Sequence, residues 1–158
     1  MHTVIRRAER QDYGAVERIM QQLQNLHVSL RPDIYRKADP VVGKAYFEQS
    51  ADSGVWWVAE TDGTVSGVME IYRRKYDASV QTPRRTLFIA SIAVEESLRS
   101  HGIGHALLKK AEELRDEAGM DGIELQVNAR NAAARRLYES YGFRPESINM
   151  ELIKEDPQ

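Results

Sequence analysis

The chain has 158 residues, 42% hydrophobic and 29% charged, the make-up of one compact domain able to bury a core. Its formal net charge of −2 excludes a global field that would gather nucleic acid or an anionic membrane. The lack of cysteine excludes disulfides, thiolate zinc sites and a catalytic thiol. The opening MHTVIRRAERQDY lacks the apolar run of a secretion signal, and no stretch approaches roughly 18 consecutive apolar residues, so a cytoplasmic protein is expected.

No repeat, low-complexity tract or linker interrupts residues 1–158, which reads as a single domain. Residues 3–7 are a strand candidate. Asp12 stands as N-cap to a helix with Tyr13, Val16, Ile19, Met20 and Leu23 on one face. Residues 25–37 contain Arg31-Pro32-Asp33 and read as a loop or broken turn. Asp39-Pro40 then reads as the N-cap and first residue of a second helix running through Phe47. Residues 55–60 and 64–72 flank Asp62-Gly63, a hairpin signal because a type I′ turn needs positive φ at both central positions. Trp56 and Trp57 alternate faces in the first of these strands, so at most one need be core. Polar residues 73–85, with Arg73, Arg74, Lys75, Arg84 and Arg85, read as a solvated loop between strands.

Residues 87–94 are a nearly continuous apolar run, as expected of a strand buried on both faces. A glycine-rich turn follows, then a helix with Ile103, Leu107, Leu108, Ala111 and Leu114 on one face, stopped by Gly119. Residues 123–128 alternate Ile123, Leu125 and Val127 against Glu124, Gln126 and Asn128, the period of a strand. Asn131 caps a last helix ending near Gly142, and residues 143–153 are expected to supply the final strand or strands. The order β-α-α-β-β-β-α-β-α-β describes an α/β chain, in the α+β sense of a mixed sheet with helices on its faces.

Residues 92–104, IAVEESLRSHGIG, run a buried strand through a two-glycine turn directly into a helix. Glycine lets the backbone approach an anion, and the first helical turn offers unpaired N–H groups at the positive end of the dipole. A Walker A loop would need Lys-Ser/Thr after its second glycine, and none follows. A dinucleotide loop would need a third glycine where Leu107 stands, in a unit early in the chain. Binding of an acyl-coenzyme A through R-x-x-G-x-G is matched by Arg99, Gly102 and Gly104. A tight turn that only shortens a connection is the remaining reading. His101 and His105 lie four apart with no third ligand in evidence, so no metal site is expected.

Downstream, residues 131–143 read NAAARRLYESYGF. The pattern Asn-x-x-Ala-x-x-x-Tyr-x-x-x-Gly-Phe at this distance from R-x-x-G-x-G resembles the GCN5-related N-acetyltransferase (GNAT) superfamily. The last helix is particularly similar to the branch that acetylates ribosomal-protein N-termini. The resemblance covers roughly residues 87–143, and it implies an acyl-coenzyme A N-acyltransferase fold with about six or seven strands and about four helices. It also implies roles. Main-chain groups of Ile92 and Val94, with Ala93 between them, would pair with the pantetheine arm of acetyl-coenzyme A. Amides from Arg99, Ser100, His101, Gly102, Ile103 and Gly104 into His105 would hold its pyrophosphate. Asn131 and Ala134 would line the coenzyme, with Tyr138 near its sulfur.

The reaction implied is direct attack of a primary amine on the thioester, which needs no protein nucleophile. An N–H of Ile92 or Val94 would stabilise the oxyanion, and Tyr138 would protonate the departing thiolate. In the ribosomal-protein branch the middle of an L-x-V strand motif is a glutamate base. Leu125-Gln126-Val127 places glutamine there, which leaves Glu70, Glu124 or a water chain to take the ammonium proton. His27 and Arg31, with Asp33, fall between the first two helices, where this fold builds its acceptor site. The expected acceptor is a small-molecule amine or a peptide N-terminus, and the expected assembly a homodimer. A non-catalytic acyl-coenzyme A-binding regulatory module is the second function class.

Overall fold

The structure, a computed structural model, describes residues 1–155. These form five strands, β1 (Thr3–Arg7), β2 (Trp56–Thr61), β3 (Thr64–Tyr76), β4 (Arg84–Val94) and β5 (Gly122–Leu125). The α-helices are α1 (Tyr13–Leu30), α2 (Lys44–Asp52), α3 (Ile103–Glu117) and α4 (Ala132–Tyr141). The strands lie side by side in chain order, antiparallel except for the parallel β4–β5 pair, which α3 connects. This is the α/β mixed sheet that the sequence predicts, with five strands among the described residues rather than six or seven.

Strand alternation divides the core between the two faces of the sheet. One face packs Trp56, Val58 and Val68 against Val16 and Ile19 of α1 and Phe47 of α2. The other packs Trp57, Ala59, Met69 and Ile89 against Ile103, Leu107, Leu108 and Ala111 of α3, with Leu137 and Tyr138 of α4 alongside. Both tryptophans are core, one on each face, against the expectation of at most one. Trp56 is accommodated because its indole N–H donates to Ser50 Oγ at 2.8 Å. At the hairpin tip Asp62 and Gly63 take φ of 49° and 84°, the positive pair that a type I′ turn requires.

Other boundaries move for identifiable reasons. Residues 25–30 are helix, because α1 continues to Leu30 and is stopped only where Pro32 excludes helical geometry for Arg31. The second helix starts at Lys44 rather than at Pro40. Its approach is held against α1 by Glu17, whose carboxylate accepts from the amides of Val41 and Val42 at 2.7 Å each. Asp12 is not the side-chain cap of α1. Its carboxylate is buried and binds Arg6 and the Glu9 amide, fixing the chain between β1 and α1. The strands of the β3–β4 hairpin run on into residues 73–76 and 84–86, because Arg74 lies 3.5 Å over the Phe88 ring and Arg84 pairs with Glu124. Residues 143–153 form no strand. They are tied down by ion pairs instead, Glu146 to Arg84 at 3.3 Å and Glu151 to Arg31 at 2.6 Å.

Candidate active site

The site begins where the sheet comes apart. β4 and β5 pair only from Thr86 opposite Gly122 to Ile89 opposite Leu125. A bulge at Ala90, between the pairs Ile71–Ile89 and Glu70–Ser91, bends β4 at that point. Ser91 to Val94 continue on β3 alone, while Gln126 to Asn128 turn away from the sheet. The wedge between them is a cavity of about 700 Å³. The apolar run of β4 is therefore not buried on both faces, since Ala90 is exposed and Ile92 to Val94 are half-buried against this opening. The β5-side edge of this stretch has no strand partner among the described residues, so its backbone groups are available to an extended ligand.

The far end of the wedge is an anion cradle. Gly102, at φ 82°, caps α3, and Ser100 before it also takes positive φ, 66°. The first intrahelical amide bond is that of Ala106 to Gly102, so the amides of Ile103, Gly104 and His105 open the helix without carbonyl partners. Gly104 has a packing reason to be glycine: a Cβ there would stand 3.3 Å from Leu137 Cδ2 of α4. Arg99 lines the same end with its Nε 3.4 Å from the Val94 carbonyl. These features fit a pyrophosphate at the N-terminus of a full-length helix. Of the predicted loop residues, His101 does not line the cavity. Its ring folds back to within 2.9 Å of the Arg99 carbonyl oxygen.

The α4 wall is set by Asn131, whose side chain accepts from the Ala134 amide at 3.1 Å. Asn131, Ala134 and Tyr138 all line the cavity. The Tyr138 ring meets Phe143 edge-on at 5.9 Å between centroids, and burial pushes its phenol up to about 12. It is accordingly a protonated donor throughout the neutral range. The same burial disfavours a thiolate at that depth, which narrows the pKa gap across which the proton must pass.

The two carboxylates expected to act as bases are not in the cavity. Glu70 lies on the α1–α2 face of β3 and accepts from the phenols of both Tyr46 and Tyr72. Glu124 pairs with Arg84 and accepts from Tyr76 at 2.7 Å. The nearly buried Arg31 is saturated by Asp33 at 2.7 Å and Glu151 at 2.6 Å, so it braces the chain after α1 and does not reach the cavity. His27 does line it, beside Leu23 and Leu26. Ser91, Gln126 and Arg136 line it too, and of these the sequence reading reached only Gln126. Arg136 could have been found from its helical position, one turn after Ala133, which lines the cavity too.

Comparison with known proteins assigns this fold to a class, the acetyltransferases. Residues 20–143 match the acetyltransferase (GNAT) family model, and the chain belongs to that family. It is 29% identical over 107 residues to a mycothiol acetyltransferase of Beutenbergia cavernae, covering 68% of this chain and 33% of that one. It is 41% identical over 63 residues to the ribosomal protein bS18 alanine N-acetyltransferase of Escherichia coli, covering 40% of this chain and 41% of that one. The chain thus spans between a third and two-fifths of these relatives. A solved mutant form of the BH1408 protein from Bacillus halodurans superposes with a TM-score of 0.91 at 27% identity, covering 95% of this chain and 98% of that one.

Proposed function

We propose that the chain moves the acetyl group of acetyl-coenzyme A to a primary amine by direct attack in a ternary complex. One observation carries this reading. The unpaired edge of Ser91 to Val94 leads into the unpaired amides of α3, and Tyr138 stands in the same wedge. An extended thioester fits that edge, with its diphosphate at Ile103 to His105. Acetyl-coenzyme A supplies an acyl group activated as a thioester; the chain holds it and moves protons. A main-chain N–H of Ile92 or Val94 serves the developing oxyanion, and the Tyr138 hydroxyl protonates the leaving sulfur.

The acceptor is a small-molecule amine or a peptide N-terminus, the two kinds of chemistry that the relatives' names span. The exposed apolar row Ile148, Met150 and Leu152 supports a homodimer, which sedimentation of the intact chain tests. A cytoplasmic setting completes the reading. The principal experiment measures thiol release from acetyl-coenzyme A against spermidine, an aminoglycoside, lysine and an alanine-initiated peptide. The expected result is turnover with at least one of them and its loss in Tyr138→Phe. Equal background rates with every acceptor, together with a coenzyme A-induced rise in Tm, would identify a non-catalytic binding module instead.

A further inference from the structure

We infer that His27 is the general base that takes the proton from the acceptor ammonium, an assignment that rests on the acetyl-transfer reading above. Its ground is an elimination over the cavity wall. No carboxylate lines the wedge among the described residues; its titratable side chains are His27, Arg99, His105, Arg136 and Tyr138. The two arginines hold their protons at any working pH. His105 belongs to the first turn of α3 at the anion end, with its ring 5.8 Å from Tyr141. Tyr138 is committed as a donor. His27 is left, on the last turn of α1.

Its surroundings suit the task. The imidazole lies against the Tyr35 ring at 4.9 Å, and neither ring nitrogen has a hydrogen-bond partner among the described residues. A lone pair is therefore free to receive a proton. Burial lowers the pKa of His27 below its ordinary value, so the ring is neutral at pH 7. The charged groups around it are engaged with one another or with backbone. Arg31, one turn on, is held by Asp33 and Glu151, and Arg130, before α4, reaches the Leu30 carbonyl. Tyr138 lines the same wedge.

The proton count closes. An R–NH3⁺ acceptor gives one proton to His27, and the freed nitrogen forms the C–N bond as the C–S bond breaks. The Tyr138 proton goes to sulfur, and the second amine proton restores the phenol. His27 then releases its proton to water, leaving an amide, a thiol and one H⁺.

The test is the pH profile of kcat for wild type, His27→Gln and His27→Ala, between pH 6.5 and 10, with the panel amine that turns over fastest. Loss of a general base is expected to lower kcat about 100-fold at pH 7.5. The gap should narrow towards pH 10, as a growing share of the acceptor arrives as free amine, and added imidazole should restore His27→Ala. Coenzyme A should still raise the Tm of both variants, which shows them folded and keeps the donor site separate. A wild-type kcat in His27→Gln overturns the assignment, as does an equal loss at every pH without imidazole rescue. Failure of wild type with every amine overturns the acetyl-transfer reading itself, and with it this assignment.

Discussion

The two walls of the cavity are built on different principles. The donor wall, from Ser91 through α3 and α4, is made of backbone: an unpaired strand edge, unpaired amides, two glycines and an asparagine cap. The other wall, which we assign to the acceptor side, is Leu23, Leu26 and His27 of α1, and it is braced from outside the cavity by side chains from distant positions. Behind it Arg31 meets Glu151, Glu17 holds Val41 and Val42, and Tyr46 meets Tyr72 on Glu70. A backbone site constrains residue type at fixed spacing. A side-chain site constrains only who meets whom.

The sharpest way to break this contrast is to make a donor-wall change that spares binding. Tyr138→Phe removes the proton on the leaving-group side while leaving the ring packed on Phe143, so kcat should fall by about 10²- to 10⁴-fold. Coenzyme A affinity, measured by calorimetry, should hardly move. Because the phenol sits at about 12, wild-type kcat should show no alkaline decline from this group up to pH 10. A descending limb near pH 9 would remove Tyr138 from the role.

Gly102→Val comes next. Its φ of 82° strains any β-branched residue by roughly 1–3 kcal/mol, and relief of that strain would pull the α3 amides off their common focus. Coenzyme A Kd should therefore rise about 10- to 100-fold, while the acceptor KM at saturating coenzyme stays within twofold. Equal damage to both constants would mean that the two walls are not separable.

A smaller effect tests whether the acceptor wall depends on how α1 is anchored. Asp12 is the anchor. Burial pushes its carboxyl up, and the Arg6 hydrogen bonds with the Glu9 amide more than reverse this, so its pKa is lowered in the folded chain. A lowered folded pKa gives stability that is present above the unfolded value of about 3.9 and lost as pH falls through the folded one. Asp12→Asn should cost about 1.5–3 kcal/mol at pH 7 by denaturant titration, as expected for charged hydrogen bonds. The difference from wild type should vanish at strongly acidic pH. A constant difference across pH would assign the effect to packing.

The same contrast explains what could be read from sequence. Gly102, Gly104 and Asn131 were legible because a tight turn, a helix N-terminus and a cap each accept few residue types. The hairpin at Asp62-Gly63 was legible for the same reason, whereas Arg99 and Tyr138 were reached only through the motif that resembles the family. Arg31 was misread as a substrate contact because, although Asp33 stands two residues on, the Glu151 that completes its pairing lies 120 positions away. Glu70 and Glu124 were misread likewise, since alternation places a carboxylate on a strand face without saying that Tyr46, Tyr72, Arg84 and Tyr76 will occupy it. The missing sixth strand is of this kind too: residues 143–153 have strand-like alternation, and two long-range ion pairs decide where they lie.

The smallest expected effect probes, one hydrogen bond at a time, the contacts that lie behind the acceptor wall. Tyr46 and Tyr72 both donate to the same oxygen of Glu70, and Glu70 stands directly across from Ser91, which lines the cavity. Burial and the neighbouring carboxylate raise both phenols, so both remain donors at working pH. Tyr72→Phe deletes one donor and leaves the ring, which costs about 0.5–1.5 kcal/mol, or roughly two- to tenfold, if that bond helps shape the acceptor surface. The change should appear in acceptor KM, with coenzyme A Kd untouched and kcat within twofold. The double variant Tyr46→Phe, Tyr72→Phe should exceed the sum of the single effects, because removing both donors leaves the carboxylate free to reach for Ser91 or the substrate ammonium. Strict additivity with no KM change would make the three-residue cluster a prop for α2 alone and move the acceptor wall closer to His27.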